Sequence, residues 1–132
     1  MKRLALIVIV LSVSACVIHA GPGPETYPPA HSAAGVTAWL VLATSRLDGE
    51  LLEARDTALV ILTHDRVMLV PFSVIDSGAF AHSNVAIRHR RRPSPEDFDS
   101  IRLLSRYPQG IPPDALRRIL ADKRQDFLVF IR

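Results

Sequence analysis

One cysteine occurs in 132 residues, Cys16. A single thiol closes no internal disulfide, so no cross-linked framework holds this chain. No glycine-rich phosphate cradle is present, and no nucleophile elbow or oxyanion-loop signature. The five histidines lack zinc-ligand spacing. Charge of one sign is also scarce: 16 Lys and Arg face 13 Asp and Glu, a formal net of +3. A polyanion such as nucleic acid is not steered by so small a surplus, and no nucleic-acid partner is expected. The apolar runs are short as well. Leu4–Leu11 is unbroken, but a membrane span needs about 20 apolar residues.

What is there begins with that run. Lys2 and Arg3 precede it, and the small residues Ser12–Ala15 follow it before Cys16. A positive start, an apolar stretch and small residues form the layout of an export signal. VSAC, Val13–Cys16, resembles the lipobox of bacterial lipoproteins. The resemblance implies that a lipid joins the Cys16 thiol, that residues 1–15 are removed, and that Cys16 becomes the first mature residue. It also implies a cell-envelope location, anchored to a membrane through the lipid on Cys16. Val17 rather than Asp follows the cysteine, which by analogy favours the outer membrane where two exist. An ordinary secretory signal cut near Ala15 or Ala20, or an uncleaved anchor, stays open as an alternative. Without Lys2 and Arg3, 14 basic residues face 13 acidic ones, a net of +1.

Residues 16–35 read as a tether. Pro22, Pro24, Pro28 and Pro29 forbid regular helix, and Gly21 and Gly23 add freedom. His19 and His31 read there as solvated spacer residues. Residues 36–92 read as β-rich. Strands are expected at Val36–Ala43, Leu47–Ala54, Ala58–Leu62 and Val67–Pro71, the last three joined by the short polar turns at Arg55–Thr57 and Thr63–Arg66. ALVIL, Ala58–Leu62, shows no polar alternation, so both its faces need cover. Gly49, the VPFSVI segment and Ile75 resemble the bent strand and meander of small SH3-like or Sm-like barrels. That resemblance implies a barrel-like fold and nothing about RNA. Asp76, Ser77 and Gly78 read as turn residues, with further strand expected at Phe80 and Val85–Ile87.

Residues 93–132 are expected to complete the same domain. Ser94 at an N-cap, Pro95 and Asp97 start a helix. Phe98, Ile101 and Leu103 or Leu104 share its apolar face, and Pro108 with Gly110 ends it. A second helix starts near Pro113 and buries Leu116, Ile119 and Leu120, with Arg117, Arg118 and Lys123 exposed. Phe127–Ile131 reads either as a final strand or as more of that helix. The fold class is therefore α+β: a small antiparallel, barrel-like meander, then two short helices and that last segment.

Catalytic chemistry has only scattered candidates: His64, Asp65, Ser73, Asp76, Ser77 and His82. His64 and Asp65 sit in a turn, and no triad is signalled. No catalytic residue, metal or cofactor is assigned. The dense feature is the basic run Arg88, His89, Arg90, Arg91 and Arg92. Its four arginines are candidates for contact with anionic lipid or envelope polymer; a solvated loop balanced by Glu96–Asp99 is the alternative. The expected role is a non-enzymatic module that binds an envelope protein or itself.

Overall fold

Both faces of Ala58–Leu62 are buried, and the architecture follows from how each face is covered. The computed structural model describes residues 33–132. Cys16, the export segment, His19, His31 and most of the tether lie outside the described residues. In chain order the elements are β1 (Thr37–Leu42), β2 (Arg46–Arg55), β3 (Ala58–Leu62), β4 (Val67–Pro71), a 3₁₀ turn (Phe72–Val74), β5 (Ile75–Phe80), β6 (Ala86–Arg88), α1 (Pro95–Leu104), α2 (Pro113–Asp122) and β7 (Val129–Phe130). The fold is α+β. One seven-stranded sheet runs β6-β5-β1-β2-β3-β4-β7. Neighbours are antiparallel except β4 and β7, which are parallel. The outer strands β6 and β7 do not pair with each other, so the sheet is open.

Leu59 and Ile61 of β3 point into the larger core, with Leu40, Leu51, Val70, Ile75, and Phe98 and Ile101 from α1. Val60 points the other way, toward Leu52, Val67 and Leu120, with Leu116 and Ile119 packed beside them. The helix α2 thus supplies the second cover that the unalternating strand requires. A bulge in β2 makes this two-sided packing continuous. Leu51 pairs with Ile61 and Glu53 with Val60, leaving Leu52 as the extra residue. Leu51 and Leu52 face opposite cores by ordinary alternation, and the phase shift after them returns Ala54, opposite Leu59, to the larger core.

The bulge frees backbone groups, and the chain after α1 takes them up. Arg106 N–H donates to Leu51 O at 3.0 Å and Tyr107 N–H to Leu52 O at 2.9 Å. Leu51 N–H in turn donates to Val36 O at 2.9 Å. The Arg106 guanidinium forks onto Glu50, with Nε to Oε1 at 2.6 Å and Nη2 to Oε2. Gly35 N–H donates to the same Oε1 at 2.7 Å. Gly35 is required here because a Cβ would lie 2.0 Å from Leu51 O. Glu50 first, against the cost of burial, holds the Arg106 pKa above its ordinary value.

Three expectations are corrected. Asp76, Ser77 and Gly78 lie within β5 rather than a turn. Gly78 stands where a side chain would meet Leu40 Cδ2 at 2.8 Å, so close approach, not turning, accounts for it. The first helix ends at Leu104, before Pro108 and Gly110. Ser105 Oγ donates to Arg102 O at 2.6 Å, and the next two amides are spent on the β2 bulge. Lys123 is half-buried, its Nζ donating to His64 O at 2.7 Å. The Ser94 cap forms as expected, with Asp97 N–H donating to its Oγ at 3.2 Å.

The second helix stops without glycine or proline. Arg124 takes φ +55°. Its N–H donates to Ala121 O at 2.9 Å, and Gln125 N–H to Leu120 O at 2.9 Å. This is a Schellman motif with arginine in the glycine position. It turns Gln125 onto the open side of β4. There Gln125 Oε1 accepts from Val67 N–H at 2.6 Å, and Nε2 donates to Val67 O at 3.2 Å. The expected strand at Phe127–Ile131 is shortened to Val129–Phe130, with Ile131 N–H donating to Leu69 O at 3.2 Å. One side-chain amide and a two-residue strand together cover that edge.

Replacing Glu50 with Ala removes the carboxylate that Arg106 and Gly35 share. The loss should be about 2 kcal/mol, read as a lower urea midpoint at unchanged slope. Arg124→Gly relieves the left-handed residue and should add about 0.5–1 kcal/mol, read as a higher thermal midpoint.

Candidate anion-binding surface

The arginine run is not a uniform patch, because its backbone changes direction within it. Arg88 belongs to β6 and pairs with Ser77 of β5. His89 and Arg90 then take φ +58° and +55°. Two successive non-glycine residues in this region are costly. Hydrogen bonds hold them there: His89 N–H donates to Asp76 O at 2.9 Å, and Arg90 N–H to Ile75 O at 2.9 Å. Arg90 Nε also donates to Asp76 Oδ1 at 2.6 Å, which raises the Arg90 pKa further. The main chain leaves the sheet at this point, and the four arginines separate.

Arg88 stays on the outer face of the sheet. It borders a 370 Å³ depression with Trp39, Val41, Ala79 and Ala86. Trp39 is 51% exposed, unusual for the one tryptophan of a small domain. The register explains the hollow: Trp39 pairs with Ala79, which pairs with Ala86, so small side chains flank the indole. Arg91 is exposed, and neither it nor Arg88 forms an ion pair among the described residues.

Arg92 turns back toward α1. Its guanidinium lies 4.9 Å from the Phe98 ring centroid and 3.8 Å from Asp56 Oδ1. Arg102 makes the same two contacts, at 4.9 Å and 3.7 Å. It is buried to 4% exposure, and its Nη2 donates to Ala54 O at 3.0 Å. Sequence reasoning missed this residue. The signal was its i+4 spacing from Phe98, which puts a cation on the apolar face of α1. The stacking is cation–π, stronger for Arg102 because it is desolvated.

Arg90 and Arg92 border a second cavity of about 420 Å³. Its walls are mainly apolar: Ala58, Leu69, Pro71, Phe72 and Phe130. Phe130 is 56% exposed and forms one rim. Beside it lies a smaller cavity of about 230 Å³, bordered by Thr44, Ser45, Ser73, Arg90 and Arg132. Ser73 and Arg90 belong to both.

The other candidates do not converge. His64 and Asp65 occupy the β3–β4 turn, where Thr63 Oγ1 donates to Asp65 Oδ1 at 2.9 Å. Arg66 first, then Thr63, lowers the Asp65 carboxyl to about 2. Ser73 lies past the other end of β4, a strand of five residues or roughly 16 Å. His82 follows β5 with φ +59°. Among the described residues no His, Cys, Asp and Glu cluster has the form of a metal site. No described helix is long and apolar enough to cross a membrane. Compared with protein-family models, with curated proteins and with solved structures, the chain matches none.

Arg102→Ala should cost about 3 kcal/mol, because its buried stem and its bond to Ala54 are both lost. Arg92→Ala, at an exposed position, should cost under about 1 kcal/mol. Paired chemical denaturation curves separate the two.

Proposed function

We propose that this chain is a lipid-anchored, non-enzymatic binding module of a cell envelope. Support for the anchor comes from Lys2 and Arg3, the apolar run Leu4–Leu11 and the lipobox-like Val13–Cys16. The proline-rich tether then holds the folded domain off the membrane. Cys16 has no other task in this scheme, and it carries the proposal. Two or more acyl chains make such attachment effectively permanent, whereas one holds only reversibly. The domain's role is contact with an envelope protein or with itself. A barrel-like curvature of the sheet belongs to the same proposal. It is supported by β2, whose Arg46–Glu50 half pairs with β1 and whose Glu50–Arg55 half, which contains the bulge, pairs with β3.

A second role draws on a specific feature. Arg88 and Arg91 carry unneutralised charge, and Arg88 stands beside the exposed Trp39. Tryptophan prefers the headgroup layer of a bilayer, and arginine prefers anionic headgroups. The outer sheet face would then rest on an anionic membrane or polymer.

Metabolic labelling with a fatty-acid analogue tests the anchor. Label is expected on the wild type and absent from Cys16→Ser; equal label on both rejects it. The full chain carrying Cys16→Ser should still float with anionic vesicles at low salt. Adding Arg88→Ser and Arg91→Ser should weaken that binding roughly thirtyfold, at about 1 kcal/mol for each arginine. Unchanged flotation removes the second role.

A further inference from the structure

The two cavities that share Ser73 and Arg90 as lining differ in chemistry. The larger is walled by Ala58, Leu69, Pro71, Phe72 and Phe130. The smaller is bordered by Thr44, Ser45 and Ser73, with Arg132 beside them. Its volume of about 230 Å³ suits a head group, and the 420 Å³ neighbour reaches the range of about 300–1,000 Å³ found for small-molecule pockets. Arg90 stands at the junction. Its Nε is engaged by Asp76, which fixes the plane of the guanidinium while its two Nη groups make no hydrogen bond among the described residues. Such a fork is preorganised for a carboxylate or phosphate. On the apolar side Arg92 stands with Asp56, 3.8 Å from its guanidinium, both at the cavity wall.

We propose that the two cavities together bind one molecule of a single-chain anionic amphiphile. Its acidic head lies between Arg90 and the hydroxyls of Ser73, Thr44 and Ser45. Its chain lies along Pro71, Phe72 and Leu69 under the rim of Phe130. A cationic amphiphile finds no acceptor in the free Nη groups of Arg90, and a small anion without a chain leaves the larger cavity unfilled. The strained pair His89–Arg90 has a reason in this scheme: left-handed backbone is retained where it aims a functional side chain. The proposal rests on the domain being a binding module, and it names the ligand class.

Equilibrium dialysis of labelled dodecanoate against the full chain in nanodiscs of zwitterionic lipid tests it, with empty nanodiscs as the blank. Saturable uptake near one molecule per chain is expected. Dodecyl sulfate should displace it and dodecyltrimethylammonium should not. Arg90→Gln should weaken binding about tenfold, through loss of charge-assisted hydrogen bonds. Phe130→Ser, at an exposed position outside either core, should weaken it as well and leaves folding intact if Arg90→Gln does not. Uptake no greater than that of empty discs overturns the site. So does equal displacement by the cationic amphiphile, or undiminished uptake by both variants. Uptake that rises with the anionic lipid content of the discs and never saturates marks a membrane surface instead, and overturns it too. Cys16 labelling is read separately: a chain acylated at Cys16 that takes up no dodecanoate keeps its anchor and loses this site.

Discussion

The shared carboxylate of Glu50 is the point on which the domain's architecture turns. It lies just before the β2 bulge and receives the Arg106 fork and the Gly35 amide together. Three stretches distant in sequence meet there: the entry to β1, the middle of β2 and the exit from α1. Without that meeting the bulged carbonyls of Leu51 and Leu52 would need other donors. The bulge itself shifts the side-chain phase, so that Ala54 past it rejoins the core that Leu51 enters before it. Packing on both sides of one thin sheet therefore depends on a polar node at its side. A charge-assisted fork is suited to this role, because it sets direction as well as distance.

The same logic appears at the sheet's two ends. At β7 the chain ends a helix on a left-handed arginine, and the following glutamine bonds to β4 as a neighbouring strand would. At β6 two left-handed residues take the chain off the sheet and carry Arg90 to the junction of two cavities. In each case local backbone cost is offset by hydrogen bonds to strands remote in sequence. The first closes an edge that would invite unwanted pairing. The second separates a run of arginines into distinct environments: beside a tryptophan, over a cavity, in solvent and against a phenylalanine ring. Charge density along the sequence thus becomes several local sites rather than one basic patch.

Much of the element order was legible in the residues. The meander from Leu47 to Pro71, the cap at Ser94 and the apolar face of α2 all follow from local pattern. The demand that Ala58–Leu62 be covered twice was legible too, and α2 meets it. Ile75–Phe80 was not, because Asp, Ser and Gly in succession have turn chemistry until a neighbouring Leu40 and Ile87 explain the glycine. The end of α1 was placed too late, since proline and glycine are visible breakers and a bulged strand that claims two amides is not. The candidate surface was half legible. Its arginines stood out and Ser73 was visible only as a scattered catalytic candidate, while Arg102 and Phe130 lacked any signal of charge density or motif.

By itself the sequence determined the local matters: which stretches are strands or helices, where the tight turns fall, and the lipobox-like expectation at Cys16, which the described residues do not reach. These depend on neighbours a few positions apart, through backbone preference and the alternation of apolar side chains. The tertiary structure alone decided the register, the bulge at Leu52, the burial of Arg102 and the placing of Ser73 and Arg90 between two cavities. Those depend on groups brought together from tens of residues apart, whose hydrogen bonds and packing override what each segment prefers alone.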